Sequence, residues 1–209
     1  MTTATDTNAY WDAVQHQLAD DDHWGPCVGS LPYIKRGELL RHDMTSLYSW
    51  TVTDPATVAF VAGHCGPRVL DPLAGSGWWA FLLGKLGVDV LASDAALPGE
   101  PENVWHTEGV LHCPVDRADA IQAASERGSG RTLLLSWPPY GSDIGERLLA
   151  ARAWSRVVYV GEGPGGCCGD DGMFEAFAVG FVEVARHQPV QWWGLHDEVV
   201  VYDRSGGVS

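Results

Sequence analysis

The chain has 209 residues, 45% of them hydrophobic and 19% charged, with a formal net charge of −14. That composition belongs to one globular domain with a sizeable core and excludes a disordered chain. The acidic balance disfavours nucleic acid, because Lys and Arg are scattered singly and form no patch for phosphates. No apolar run reaches the roughly 20 residues that span a bilayer. The first ten residues, MTTATDTNAY, lack the basic-then-apolar order of a secretory signal, so a cytoplasmic location is expected. The five cysteines, Cys27, Cys65, Cys113, Cys167 and Cys168, form no CxxC pair and read as reduced thiols. No metal site is expected.

In chain order, Trp11, Val14 and Leu18 share one face of a predicted helix from Tyr10 to Leu18, which runs into the acidic stretch Asp20-Asp21-Asp22. A Gly/Pro-containing stretch follows to about Pro32. A helix is predicted over Pro55 to Ala62, with Asp54 as N-cap, Pro55 as first residue and Gly63 as stop. Residues 1–54 thus read as a helical, lid-like arm and 55–209 as the main domain. From Arg68 strands and helices alternate. Strands are predicted over 69–71, 88–93, 104–107, 132–136, 157–160, 181–187 and 198–202. Helices are predicted over 78–86, 116–127, 144–153 and 173–179. The run Thr132 to Ser136 is continuously apolar until its last residue, as in a parallel strand buried on both faces. The last two strands have no helix between them and should pair antiparallel. The fold class is α/β with a mostly parallel sheet.

The strongest local signal is Val69-Leu70-Asp71-Pro72-Leu73-Ala74-Gly75-Ser76-Gly77, a strand end, a glycine turn and the start of a helix. Glycines there allow tight backbone turns and close approach of a ligand. The turn is shorter than GxGxxG and carries an acid, which suits a ligand with a cationic amino-acid end better than a pyrophosphate. Asp94 ends the next strand, about 20 residues on, where an acid takes ribose hydroxyls.

The stretches DPLAGSGWWAFLL and VDVLASDA resemble motifs I and II of the class I S-adenosylmethionine-dependent methyltransferases. Tyr48 to Arg204 further resembles one group in that superfamily. Its pattern is matched by Tyr48-Ser49-Trp50, Gly77-Trp78-Trp79, Leu133 to Tyr140, Val157 to Glu162, Gly165 to Asp171 and Gln191 to Arg204. The resemblance implies a Rossmann-like, seven-stranded sheet with helices on both faces and an antiparallel last strand. It also implies a cofactor, S-adenosylmethionine, bound at the C-terminal strand edges. The cofactor-binding set is then Asp71, Leu73, Gly75 and Gly77 for the methionine end, Asp94 for the ribose, and Trp78, Ser136, Tyr48 and Trp50 around them.

Ser136-Trp137-Pro138-Pro139-Tyr140 is similar to the (D/N)PP(Y/F) motif of amino-group methyltransferases, but Trp137 replaces the Asp or Asn. An indole offers an N–H and a π face and no carboxamide, which argues against base methylation and leaves a cation–π role or core filling open. Glu162, at a strand's C-terminal end before a glycine-rich loop, is placed to bind or deprotonate an acceptor. One of Asp170 and Asp171 caps the next helix. His196 is a weaker base candidate, and His106 and His112 carry no assignment. The resulting expectation is a methyltransferase, a monomer or homodimer, acting on a small molecule, with Glu162, Tyr140 and Trp137 facing the acceptor. Two alternatives stay open. One is intramolecular cyclisation of the aminobutyrate arm with release of methylthioadenosine. The other is a non-catalytic cofactor-binding partner protein.

Overall fold

A computed structural model describes residues 8–19, 33–34 and 41–206 of the chain, with no side-chain description for residues 19 and 33. The acidic run Asp20–Asp22, the stretch up to Pro32 and Cys27 lie outside the described residues.

The elements follow from local chemistry. Helix α3 (Pro55–His64) starts where Asp54 Oδ1 accepts the backbone N–H groups of Ala56 and Thr57, both at 3.0 Å, with Pro55 at the first position. It runs one residue past Gly63 instead of stopping there. Helix α4 (Trp78–Lys85) follows Gly77 (φ +73) and gives way at Gly87 (φ +85), the backbone region that only glycine enters cheaply. Asp119 caps α5 (Ala120–Arg127) and Asp170 caps α7 (Asp171–Gly180), each through its side chain. Helix α6 spans Ile144–Ala150.

Several details differ from the sequence expectation. The segment 104–107 forms turns and not a strand, because Asn103 Oδ1 takes the Trp105 and His106 N–H groups and holds the chain folded back. The predicted helix from 116 begins only at Ala120, and Asp116–Arg117 instead makes a short edge strand, β5. The first helix, α1 (Ala9–Val14), tightens into a 3-10 turn and ends before Leu18. A helix absent from the expectation, α2 (Arg41–Leu47), leads into the Tyr48 segment.

The main sheet has seven strands: β3 (Arg68–Asp71), β4 (Asp89–Asp94), β5, β6 (Thr132–Ser136), β7 (Arg156–Glu162), β8 (Phe181–His187) and β10 (Asp197–Arg204). Their spatial order is β5-β4-β3-β6-β7-β10-β8. The pairs β3·β4, β3·β6, β6·β7 and β4·β5 are parallel, and β10 runs antiparallel to both neighbours, with a bulge between Val201 and Tyr202 against β8. Alternation along the strands fills two cores. Leu134, Val158 and Val160 pack with α3, α4 and the N-terminal segment, while Leu133, Leu135 and Tyr159 pack with α5, α6 and α7. Both faces of the central strands are therefore dry. No described helix is long and apolar enough to cross a membrane.

The N-terminal segment shares this core. Tyr10, Val14, Ile34, Met44 and Val52 join the first cluster. The Trp192 indole N–H donates to Tyr10 Oη at 2.8 Å, and Asp54 Oδ2 accepts from Val190 N at 3.1 Å. A small second sheet, β1 (Leu18–Ala19), β2 (Tyr33–Ile34) and β9 (Gln191–Trp192), ties this segment to the turn before β10.

Candidate cofactor and acceptor cleft

The C-terminal ends of β3, β4 and β6 open into a cavity of about 530 Å³, within the range of small-molecule sites. Its floor is the glycine turn, and its walls come from the Tyr48–Trp50 segment, the 94–106 loop and the Trp137–Tyr140 loop.

Asp71 lies at the floor. Its side chain is buried, and Oδ1 has no hydrogen-bond partner among the described residues. Burial, and secondly the charge of Asp94, push its pKa up to about 8, against a smaller opposing effect of the Leu73 N–H. An orphaned carboxylate oxygen in a cavity wall is costly unless something cationic meets it. The buried indole Nε1 of Trp79, on the same wall, is also without a partner. Asp94 is better supplied: Oδ2 accepts from Gly75 N at 2.8 Å and Oδ1 from Ala96 N at 3.2 Å. Burial still raises its pKa. Each of its oxygens keeps a lone pair for a further donor.

The glycines make a tight turn: Gly75 and Gly77 hold φ +52 and +73, and a Cβ on Gly75 would lie 2.2 Å from His106 Nε2. A Cβ on Gly77 would meet Cys113 Sγ and Val115 at 2.8 Å, and Gly77 does not line the cavity. The turn is thus packed by His106, which also lines the cavity, and by Cys113. His106 is buried, its Nδ1 lies 3.1 Å from Ser46 O, and burial lowers its pKa. The Ser46 carbonyl can only accept, so the neutral ring carries its proton on Nδ1 and turns the Nε2 lone pair toward Gly75. Sequence reasoning left His106 unassigned. Its signal was weak, since only the fold brings it over a turn 31 residues earlier.

Leu73, Trp78, Tyr48, Trp50 and Ser136 all line the cavity. Tyr48 is stacked between Tyr10 (ring centroids 5.5 Å apart) and His112 (5.1 Å), with Trp78 edge-on at 4.7 Å. The Trp78 indole N–H donates to Thr53 Oγ1 at 2.9 Å, and Ser76 Oγ donates to the Tyr48 carbonyl. These contacts fix the N-terminal segment against the glycine turn.

At the other end, Trp137 stacks on Trp50 with centroids 5.0 Å apart, and Trp105 meets Trp50 edge-on at 5.1 Å. Trp137 has φ +45, the only non-glycine residue at positive φ among those described. Such a conformation costs a bulky residue about 1–3 kcal/mol and persists only where the surroundings enforce it. Here the Trp137 N–H donates to Val160 O at 2.8 Å and its indole N–H to Thr51 Oγ1 at 2.8 Å. Tyr140 also lines the cavity but is 76% exposed at its mouth.

Glu162 lies elsewhere. It is buried behind the cavity wall, with Oε2 accepting from Cys167 N at 2.7 Å and Oε1 from His196 N at 2.9 Å. The carboxylate thus pins the glycine-rich loop to the turn before β10. Glu162 is not among the residues that line the cavity, which departs from the expectation of an acceptor-facing base; each of its oxygens accepts one backbone N–H and keeps a lone pair. Cys167, its hydrogen-bonded neighbour, reaches the cavity in its place. Asp197, in the same region, is buried with Oδ1 unpartnered, and burial pushes its pKa up to about 7.

No family model matches the chain, and no curated protein does. Solved structures with a similar backbone include TrmN from Thermus thermophilus, at 20% identity over 81% of this chain and 50% of that one, TM-score 0.48. Another is magnesium protoporphyrin IX methyltransferase from Synechocystis PCC 6803 with bound S-adenosylmethionine, at 14% identity over 72% and 77%, TM-score 0.47. A third is a TehB-like S-adenosylmethionine-dependent methyltransferase from Corynebacterium glutamicum, at 20% identity over 72% and 86%, TM-score 0.44. The reading of the cleft rests on this chain's own residues. A seven-stranded sheet whose last strand runs antiparallel is what the sequence resemblance implied, so the chain has the Rossmann-like fold of the class I S-adenosylmethionine-dependent methyltransferases.

Proposed function

We propose that this chain is a methyltransferase that binds S-adenosylmethionine over Asp71 and Asp94 and presents it to a small-molecule acceptor beside Trp50 and Trp137. The observation that carries this reading is the buried, unpartnered Oδ1 of Asp71 in the cavity floor, next to a glycine turn braced by Asp94. An α-ammonium group fits that oxygen. Its charge draws the proton off Asp71 and relieves the repulsion between the two acids. Asp94, fixed by two backbone N–H groups, offers its remaining lone pairs to a diol. The cofactor, when bound, supplies a methyl group on a cationic sulfur, transferred by in-line displacement. The protein's part is to orient the partners and keep water out, for which the indoles of Trp50, Trp105 and Trp137 form an apolar, π-rich wall. No proton removal is assigned to Glu162, which does not line the cavity. The net charge of −14 favours a small acceptor over a nucleic acid, in the cytoplasm.

Calorimetry with S-adenosylmethionine and S-adenosylhomocysteine tests the reading. Both should bind to the native chain, and Asp94→Ala should weaken both by about 10- to 100-fold, the worth of a charged hydrogen bond. Analysis of the nucleoside product then separates methyl transfer, which leaves S-adenosylhomocysteine, from cyclisation, which leaves methylthioadenosine. Absence of binding to either nucleoside overturns the proposal.

A further inference from the structure

Arg41, at the start of α2, stacks against the Trp50–Trp137 wall without itself lining the cavity, and the reading above leaves it unused. Its guanidinium carbon lies 4.9 Å from the Trp50 ring centroid and 5.2 Å from that of Trp137. Both rings line the cavity. Two of its donors, Nε and Nη2, are buried without a hydrogen-bond partner among the described residues. Those two N–H groups form the side-on edge of the guanidinium, the edge that grips a carboxylate with two parallel bonds.

Arginines that serve structure in this chain look different. Arg131 donates to Val69 O, Asp89 O and Asp89 Oδ2, and Arg156 grips Asp203 with two bonds while donating to His64 O. Arg204 donates to two backbone carbonyls. Among the described residues, Arg41 stacks on two indoles and spends no hydrogen bond on its Nε–Nη2 edge. The charge of Asp197 acts on it more strongly than any other, yet Asp197 Oδ1 is also buried with no hydrogen-bond partner among the described residues, so the two do not complete each other. A buried, uncompensated fork of this kind is costly in the absence of a ligand.

We propose that Arg41 is the acceptor's anchor, and that the acceptor is a small carboxylic acid whose carboxylate takes the Nε–Nη2 edge while its body lies along Trp50 and Trp137. This deepens the preceding proposal and rests on it only for the word acceptor. The subsite itself is defined by Arg41 and the two indoles, of which the indoles line the cavity and the guanidinium stacks against them. Aromatic acids match the indole wall best, through stacking on its faces.

The test is tryptophan-fluorescence titration of the full chain, with and without saturating S-adenosylhomocysteine. The probes are two matched pairs, benzoate against benzamide and indole-3-acetate against indole-3-acetamide, with phenyl phosphate as a third arm. Each carboxylate should bind at least about tenfold tighter than its amide, the worth of a charge-assisted hydrogen bond. Phenyl phosphate should bind more weakly than benzoate. Arg41→Gln should abolish the preference, and Arg41→Lys, which keeps charge without the fork, should lose most of it. Both variants should keep the native affinity for S-adenosylhomocysteine, which reports an intact fold. Equal binding of acids and amides, no binding of any probe, a preference that survives in Arg41→Gln, or tighter binding of the phosphate overturns the proposal. A carboxylate preference in a chain that ignores S-adenosylhomocysteine would leave this inference standing and remove the methyltransferase reading, so the two fail separately.

Discussion

The two ends of the cleft are built in opposite ways. The floor, from Asp71 to Asp94, is made within 24 residues by one strand–turn–helix–strand unit, and Asp94 is braced by the N–H groups of Gly75 in the turn and of Ala96 just after it. The acceptor end draws Arg41, Trp50, Trp137, Glu162, Cys167 and Asp197 from five separate segments, held by ring stacking and long-range hydrogen bonds. The difference is that a local unit fixes its geometry by chain connectivity. An assembled wall fixes it only through packing, and so it can change its chemistry without disturbing the floor.

If the ends are separable, substitutions should divide cleanly between cofactor and acceptor. Asp71→Ala should have the largest effect, weakening S-adenosylmethionine by about 100-fold or more, because a buried charge loses its partner. Calorimetry reads this directly, and unchanged affinity would break the assignment of the floor. Trp137→Ala should lower kcat/KM by about 100-fold through misplacement of the acceptor, while leaving cofactor affinity within about threefold. A matching loss of cofactor affinity would mean that the two ends act as one.

Glu162→Gln sharpens the comparison at the boundary. A structural Glu162 predicts a stability loss of about 1–3 kcal/mol, because one of two backbone donors loses its charged acceptor. Chemical denaturation measures it. The pH profile of kcat should stay in place, whereas loss of its acidic limb would restore Glu162 as a base.

The smallest effect concerns pH. The pKa values of Asp71 and Asp197 are raised in the folded protein from the ordinary 3.8 to about 8 and about 7. The folded state therefore holds protons that the unfolded chain has released. This contribution is fully present below about pH 4 and is lost as pH rises through 7 and 8. Ligand-free protein should lose stability over that window, with a slope of at most about 1.4 kcal/mol per pH unit from each group. Asp71→Asn, which cannot ionise, should remove its share, and saturating S-adenosylmethionine should do the same in the native chain. Thermal melts between pH 5 and 8.5 check both, and a native slope unchanged in Asp71→Asn would show that Asp71 is already ionised.

Most of the sheet was legible in the amino-acid sequence because its signals are local. Apolar runs such as Thr132–Ser136 announce buried strands, Asp54-Pro55 announces a helix start, and the Asp71–Gly77 turn declares itself by residue type. Helix α2 was missed, since RHDMTSL carries neither a strong apolar stripe nor a stop signal. Glu162 was read as an acceptor-facing base because strand ends are where sites lie. Only the folded glycine loop shows that Cys167 and His196 N–H groups occupy it.

What the sequence determined by itself is the order of strands and helices and the acids and glycines of the floor, all written within short stretches of chain. Tertiary structure alone decided that His106 packs on Gly75, that Trp137 is forced to positive φ against Trp50, and that Arg41 lies over both indoles with its fork unpaired. The physical reason is range. Backbone propensity and capping act over a few residues, whereas burial, stacking and the loss of hydrogen-bond partners depend on which distant segments the fold brings into contact.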